Sequence, residues 1–597
     1  MVGDISFVRF HIDLAASTVR KEDVRATDLE DALGGIARGF KLLDDRAVSD
    51  AYAPEATLVM NLGLLSGTEF MTGLRTFFHA YSPLKASRDG APAAMWTAGS
   101  GMFGTKLRRL GIDEVLFTGR APRPTLLHIT PGPEFAFLDA SDLAGQGTNE
   151  KIQGLHARYA DAHFAVLGPA GESYEACRYA AIALSTVNQL KSGDNKARFC
   201  GRGGIGGVMG SKNLLAIAAD TPEKKGSGST APALIKEINL EVARGEGSRR
   251  FRDQKRHNGG GGTWANYEAM GPAHAVPEMN FAPTGTDVSF PLFRPAVEET
   301  GRYVIRDEAC YRCGIRCHKN VYDKEEPQRF RAKLDYEPLN LLSSNVGLFD
   351  LDRICDLVEL TDQLGMDSIS LGGSLAYACE YNRRHPDRPI ADGLSYGDAD
   401  ALEKAITAIG TGRLGLLGQG TKRLSEELEE TGYAMHSKGV EFPAYLPQTN
   451  PGYPFALAGG HMSMQTYLLL LYERETGLDY WVDAITRRGL AVMRDDLLGI
   501  CKFSGMPSKR VAEAIEALTG LKITGKELSE AVRRTYLRGY RIERQQGFTA
   551  DDYDLPAEVL REYPEIDLPH FLTADFFAEL KTQVLAKFDA MLTESGV

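Results

Sequence analysis

Tryptophan is scarce, with three among 597 residues, and so is uninterrupted apolar sequence. The longest apolar stretches, such as TYLLLLY at 466–472, fall far short of the roughly 20 residues that cross a bilayer as a helix. The start, MVGDISFVRFHIDL, has no basic stretch leading into an apolar one and no twin arginine, so a cytoplasmic protein with no membrane contact is expected. Positive charge is also short. Lys and Arg number 68 against 80 Asp and Glu, a net −12, which argues against non-specific nucleic-acid binding and against docking on an anionic membrane. Only eight cysteines occur, and three share one motif, which suits a reducing compartment better than a disulfide framework. No repeat of fixed period is visible. What remains, 43% hydrophobic and 25% charged residues, is ordinary globular composition, and the length implies roughly three domains.

The first 215 residues read as β-rich. Val8, Phe10, Ile12 and Leu14 alternate with Phe7, Arg9, His11 and Asp13, the period of a half-buried strand. EATLVMNLG, DEVLFTG, PTLLHIT, EFAFLDA and AHFAVLG are further short strands, most of them bounded by Gly or Pro. GESYEACRYAAIALSTVNQL reads as a helix before the Gly-rich segment at 201–210. From about 220 the character changes: EKKGSGST and HNGGGGT are loops, and helices dominate. LDRICDLVELTDQL places Ile354, Leu357, Val358 and Leu364 on one face, and further helices are expected near 397–410, 419–431, 480–497, 508–518 and 526–539. The pattern predicts an α+β protein, with a β-rich domain at 1–215 and two mostly helical domains at 216–425 and 426–597.

Chemistry concentrates in EACYRCGIRCHKN, with the spacing Cys310-x2-Cys313-x3-Cys317. A zinc site usually pairs one CxxC with a second CxxC or HxxxH. Three close thiolates with one distant partner instead match a cubane iron–sulfur site, and Cys501 is the best fourth ligand. Zinc and unrelated buried thiols stay open as alternatives. The segment CGRGGIGGVMGSKN (200–213) has no GKS or GKT and no βαβ context. Its glycines serve either as a tight packing element or as a cradle whose N–H groups meet an anion. Two runs share a form: Asp362-x-x-Gly365-x-Asp367 and Asp496-x-x-Gly499-x-Cys501. Either run alone reads as a helix ending at Gly, with a new helix capped by the next residue. Two copies, one ending in the candidate fourth thiolate, point further, because carboxylates beside such a turn can accept hydrogen bonds from the N–H groups of a pterin.

Together these motifs resemble the aldehyde ferredoxin oxidoreductase family of tungsten enzymes, which carries CxxCxxxC, DxxGxD, DxxGxC and GRGGxGxxMGSKN in this order. SKGVEFPAY (437–445), YEPLNLLSSNVG (336–347) and AGSGMFGTKLRRLGID (98–113) are similar too, and the resemblance spans about residue 5 to at least 505. It implies a sandwich-like N-terminal domain of two β-sheets that binds pterin. Cys310, Cys313, Cys317 and Cys501 would hold a 4Fe–4S cluster. Asp362, Gly365 and Asp367 would contact one molybdopterin; Asp496 and Gly499 would contact the other. The two pterins would chelate tungsten (or molybdenum). Arg75 would lie between cluster and pterin. Ala98, Gly99, Ser100 and Gly101, with Arg202, Gly203 and Gly204 in the loop at 201–204, would supply groups near magnesium-bridged phosphates. Glu337 and His461 match the family's acid–base groups beside the metal.

The implied activity is oxidation of an aldehyde to a carboxylic acid, with electrons passing to ferredoxin or an iron–sulfur electron-transfer subunit. The resemblance leaves room for a homodimer. A second reading is the catalytic subunit of an aromatic acyl-CoA reductase of the same superfamily, acting on an acyl substrate; a third is an electron-transfer protein without catalysis, which retention of Glu337 and His461 counts against. The sequence also departs from the family. Leu446 and Gln448 replace an acid and an arginine in KGxExPAYDPR, TAGSG and FALAG are altered segments, and Asp356 stands where some members carry an interface metal-binding Glu.

Overall fold

The computed structural model describes residues 2–222, 228–252, 261–282, 286–458 and 467–597. The protein is α+β, with two six-stranded sheets in the first 220 residues and mostly helices after them. The first sheet is built from Ser6–Asp13, Thr18–Arg25, Leu58–Leu62, Arg75–Ala86, Pro92–Ser100 and Glu114–Thr118, the second from Thr125–Thr130, Glu134–Asp139, Ala162–Leu167, Ile182–Leu184, Arg198–Cys200 and Leu214–Asp220. Counted along the chain, the strands of each sheet lie in the same spatial order: second, first, sixth, third, fourth, fifth. In each, the first and sixth strands run parallel and all other neighbours antiparallel. Each fifth strand leads through a glycine into a helix, Met102–Arg109 in one half and, after a short 3-10 turn, Ile205–Ser211 in the other. The N-terminal region is thus a topological duplication, where the sequence shows no repeat. Alternation of buried and exposed side chains sets topology, and many residue sets satisfy it.

The two sheets share one core, in which Phe10, Met60 and Phe78 meet Leu127, Ala165 and Ile217. Their fifth strands are edges that meet one another: a Cβ on Gly99 would lie 2.7 Å from Leu184 Cδ1 and 2.9 Å from Cys200 Sγ. All the short strands expected from the alternating pattern form. The expected helix across GESYEACRYAAIALSTVNQL does not, because Ile182–Leu184 pairs on both sides with Ala162–Leu167 and Arg198–Cys200, a tertiary pairing that overrides local helical propensity. The expected helix at 480–497 is broken into Leu478–Asp483, a π-turn at Ala484–Arg488, Gly489–Ala491 and Arg494–Leu498. The helical part also contains an unexpected three-stranded sheet, Tyr303–Glu308, His318–Asp323 and Phe330–Lys333. Its first connection carries Cys310, Cys313 and Cys317.

Helix Leu351–Leu364 buries Ile354, Leu357, Val358 and Leu364, as its period requires. Asp350 caps its start, and Gly365 ends it at φ 73°, a left-handed conformation that glycine adopts without a Cβ clash. Asp367 then caps Ser368–Arg384 by accepting from Ile369 N. Gly499, at φ 76°, ends Arg494–Leu498 in the same way.

The two turns dock on equivalent corners of the duplicated sheets. Gly168, just after the third strand of the second sheet, abuts Gly365; a Cβ there would lie 2.7 Å from Gly365 N. Gly63, just after the third strand of the first, abuts the second turn; a Cβ there would lie 2.6 Å from the Leu498 carbonyl and press on Gly499 N. The Gly365 carbonyl accepts from Ala181 N at 2.8 Å, and that of Gly499 from Arg75 N at 3.3 Å. Since backbone cannot yield as a side chain can, Gly63→Ala and Gly168→Ala are each expected to lower stability by about 1–3 kcal/mol. An unchanged denaturation midpoint in either variant would show that the approach is looser than this.

Candidate active site and thiol cluster

The duplicated sheets and the two docked turns enclose a cavity of about 520 Å³, a size within the roughly 300–1,000 Å³ of cofactor and ligand pockets. Arg75 and Ala98 enter it from the first sheet; Arg198, Gly201 and Arg202 enter from the second. Asp367 comes from the first turn, and Asp496 with Lys502 from the second. Asp335, Glu337, Tyr445, Cys317 and Ala458 complete the part that concerns chemistry.

The charges are paired but not exhausted. Arg202 Nε is 3.2 Å from Asp367 Oδ2, Arg198 Nη1 3.2 Å from Asp335 Oδ2, and Lys502 Nζ 3.0 Å from Asp496 Oδ2. Arg75 Nε is buried and has no hydrogen-bond partner among the described residues, although its guanidinium lies against Cys501 and Asp496. A buried donor left in this state is costly unless a group bound in the cavity accepts from it.

Glu337 sits in the first turn of Tyr336–Leu341, half-buried and facing the cavity. Burial pushes its carboxyl up to about 7, and neighbouring Asp335 adds to this, while Arg202 and Tyr445 oppose it. Tyr445 Oη is 3.5 Å from Glu337 Oε1, at the limit of hydrogen bonding, and accepts from Asn266 Nδ2 at 2.9 Å. A carboxyl poised near neutrality can take or give a proton at physiological pH. His461 lies outside the described residues; Ala458, three positions before it, lines the cavity.

Of the four thiols expected to act together, Cys317 lines this cavity, and Cys501 lies near enough to act electrostatically on Cys310, Cys313 and Cys317. Burial, and after it the neighbouring thiols, push Cys310 and Cys317 up and Cys313 up to about 12, with Cys501 among the groups acting on each of the three. Arg198 opposes this at Cys310 and Cys317. Cys310, Cys313 and Cys317 are thus neutral thiols, which a bound metal centre would have to deprotonate. Among the described residues no three His, Cys, Asp or Glu side chains converge on a single bare ion. Cys310 Sγ lies 3.4 Å from His318 Nε2. Cys177, Cys200, Cys355 and Cys379 are buried elsewhere as apolar fillers.

The remaining candidates divide. Ala98 faces the cavity, whereas Gly99 and Ser100 pair with Thr76 and Arg75 in the sheet and Gly101 opens the following helix. Gly203 and Gly204 pack against Met95 and the Arg178 carbonyl, so these two glycines act in close packing, while Gly201 and Arg202 face the cavity. Asp362 stands behind the wall, 3.6 Å from Lys333 Nζ, and burial raises its carboxyl. Leu446 is buried in the core, and Gln448 Nε2 donates to the Phe281 carbonyl at 3.3 Å. Arg198, Asp335, Lys502 and Tyr445 were not singled out from sequence. Asp335 and Arg198 sit next to motifs that were, but only the fold turns them inward.

A cavity lined by two like-folded sheets, three guanidinium groups and Cys317 is the feature to set against known proteins, and these define an oxidoreductase class. The chain belongs to the aldehyde ferredoxin oxidoreductase family. Residues 9–221 match the profile of the aldehyde ferredoxin oxidoreductase N-terminal domain, and 249–594 match that of its domains 2 and 3. The chain is 30% identical over 473 residues to the tungsten-containing aldehyde ferredoxin oxidoreductase of Pyrococcus abyssi, covering 75% of this chain and 71% of the relative. It is 25% identical to the aliphatic sulfonate oxidoreductase, WOR-like subunit, of Pyrococcus furiosus, covering 86% of this chain and 82% of that one. The fold is shared with the active site complex BamBC of benzoyl coenzyme A reductase, with a TM-score of 0.75 and 17% identity over 99% of this chain and 98% of that one. Among the described residues no helix is long and apolar enough to cross a membrane.

Proposed function

We propose that this protein oxidises an aldehyde to a carboxylic acid, using a tungsten (or molybdenum) bis-molybdopterin, and passes the electrons through a 4Fe–4S cluster to ferredoxin. The observation that carries this reading is the placement of Glu337, poised near neutrality, in the same cavity as Arg75, whose buried Nε has no hydrogen-bond partner among the described residues. Cys310, Cys313, Cys317 and Cys501 would hold the cluster. Asp367 and Asp496 would meet the two pterins from opposite sides, with Asp362, Gly365 and Gly499 shaping the turns behind them. Arg75, Arg198 and Arg202 would answer the negative charge of the pterin phosphates and thiolates, with magnesium between the phosphates.

When bound, the metal centre would supply the two-electron redox chemistry. The protein's part is to orient the carbonyl and manage protons. Aldehyde plus water yields acid, two protons and two electrons. Glu337 in its ionised form would take a proton as the carbonyl hydrates, with Tyr445 Oη steadying the carboxylate. His461 is proposed to share this acid–base work.

The departures at Leu446 and Gln448, close in sequence to Tyr445, favour a substrate other than a simple small aldehyde and keep reduction of an aromatic acyl-CoA as the second reading. Elemental analysis of anaerobically purified protein, combined with viologen reduction by a panel of aldehydes, tests the proposal. About one tungsten, four iron and two pterins per chain with aldehyde-dependent reduction are expected. A fully metallated protein inert to every aldehyde but active with an aromatic thioester would replace the first reading by the second.

A further inference from the structure

The face of the protein around Cys313 carries charge of the sign the whole chain has least of. Arg312 and Arg316, on either side of Cys313 in the connection between Tyr303–Glu308 and His318–Asp323, are both exposed and held at φ 55° and 54°. Neither has a carboxylate partner among the described residues. The next residue, Gly314, donates from N to Met71 Sδ at 3.3 Å, and its Cα is so close to Ala243 that a Cβ would lie 2.9 Å from that residue's methyl. Arg252 Nη1 ties the two segments by donating to the carbonyls of Ala243 and Gly314. Helix Pro232–Arg244 therefore ends against the thiol turn.

That helix has two unlike faces. Glu237 and Glu241 turn to Arg510, which pairs with both. Lys236, Leu240 and Arg244, spaced four apart, occupy another stripe and are exposed, and neither cation has a carboxylate partner among the described residues. Leu240 is 39% exposed, one of few large apolar side chains so placed. With Met71, Ile235, Pro232, Asn239, Lys236 and the lone acid Glu69, it lines a hollow of about 280 Å³. Glu69 is already engaged, accepting from Gly228 N at 2.6 Å.

We infer that this hollow and its basic rim, Lys236, Arg244, Arg312 and Arg316, form the docking face for an acidic one-electron carrier protein, with Leu240 and Met71 as its apolar centre. The inference rests on the reading of the four thiols as ligands of an electron-carrying cluster. In a chain of net charge −12, four cations around a hollow that holds one carboxylate, Glu69, are a local exception, and their position beside the part-exposed Cys313 would put an acidic partner against the cluster's outer edge. Complementary charge steers encounter and orients the partner, while a small apolar contact lets it leave quickly. No bond forms in the exchange: each oxidised aldehyde yields two electrons, which leave in two successive dockings, one per oxidised carrier, and its two protons go to solvent.

The test uses the holoenzyme in two double variants, Lys236→Glu/Arg244→Glu and Arg312→Glu/Arg316→Glu. Reduction of a small viologen dye is compared with reduction of an acidic ferredoxin, and ferredoxin affinity is measured directly by calorimetry at low and high NaCl. Dye reduction and iron content should stay at wild-type level in the Lys236/Arg244 variant, while the KM for ferredoxin and its Kd rise about tenfold or more and lose most of their salt dependence. Equal ferredoxin affinity and KM in that variant and the wild type would overturn the inference. So would unchanged ferredoxin kinetics accompanied by lost retention on anionic vesicles, which would assign the face to a membrane. Iron loss from the Arg312/Arg316 variant would leave the decision with the Lys236/Arg244 pair, which touches no thiol. Absence of aldehyde-dependent dye reduction in the wild type would refute the functional reading instead, and calorimetry would still decide the docking face.

Discussion

Glu337→Gln should leave tungsten, iron and fold in place while lowering aldehyde-dependent viologen reduction by about 10²–10⁴, the usual worth of a positioned acid–base group. The side chain keeps its shape and its neighbour Tyr445, so loss of turnover with full metal content separates chemistry from cofactor binding. The pH dependence gives a second readout. Burial holds the Glu337 proton until about pH 7, so activity that needs the carboxylate should climb through that range in the wild type. The variant should lack the climb. Stability moves with the opposite sign: a carboxyl whose folded pKa is raised binds its proton more tightly than the unfolded chain does, so folding loses stability as pH rises from the ordinary glutamate value to about 7. Glu337→Gln should remove that loss and gain thermal stability relative to wild type between pH 5 and pH 8. A variant with near wild-type turnover would reduce Glu337 to scaffolding.

Replacing any one of Cys310, Cys313, Cys317 or Cys501 by Ala should strip iron and its broad visible absorbance, because a cubane lacking one protein thiolate is labile. Cys501 is the informative position. Its N donates to the Thr72 carbonyl at 3.1 Å, and its thiol meets Arg75, so its loss should also disturb the cavity beside Asp496 and reduce bound pterin. Cys355 and Cys379, buried within helices Leu351–Leu364 and Ser368–Arg384, serve as controls whose replacement by Ser should leave iron unchanged. Iron retained in full by Cys501→Ala would show that the fourth ligand is another group. Zinc in place of iron, bound by the same thiols, would return the motif to a structural role.

The local chemistry of this protein was legible in its residues, and the architecture was legible in part. Strand alternation in Ser6–Asp13 and the helical face of Leu351–Leu364 were plain because each depends only on neighbours in sequence. The cysteine triplet and the paired Asp-x-x-Gly turns were plain for the same reason. The strand at Ile182–Leu184 was not, since its backbone bonds come from strands about fifteen residues away on either side, and its surroundings otherwise read as helix. The Gly-rich segment announced a special backbone but not its purpose, which divides between close packing at Gly203 and Gly204 and cavity lining at Gly201 and Arg202.

What the chain determined by itself is the set of reactive groups and the short-range turns that hold them, because side-chain identity and nearest-neighbour conformation are written residue by residue. The tertiary structure alone decided that the two halves of the β region repeat one topology, and that each half offers a glycine corner to one of two similar turns. It also decided that Arg75, Arg198, Glu337, Asp367 and Asp496, drawn from distant segments, share one cavity. Long-range packing carries that information. Burial, which raises the carboxyl of Glu337 and the thiols of Cys310, Cys313 and Cys317, belongs to the folded arrangement and to no single residue.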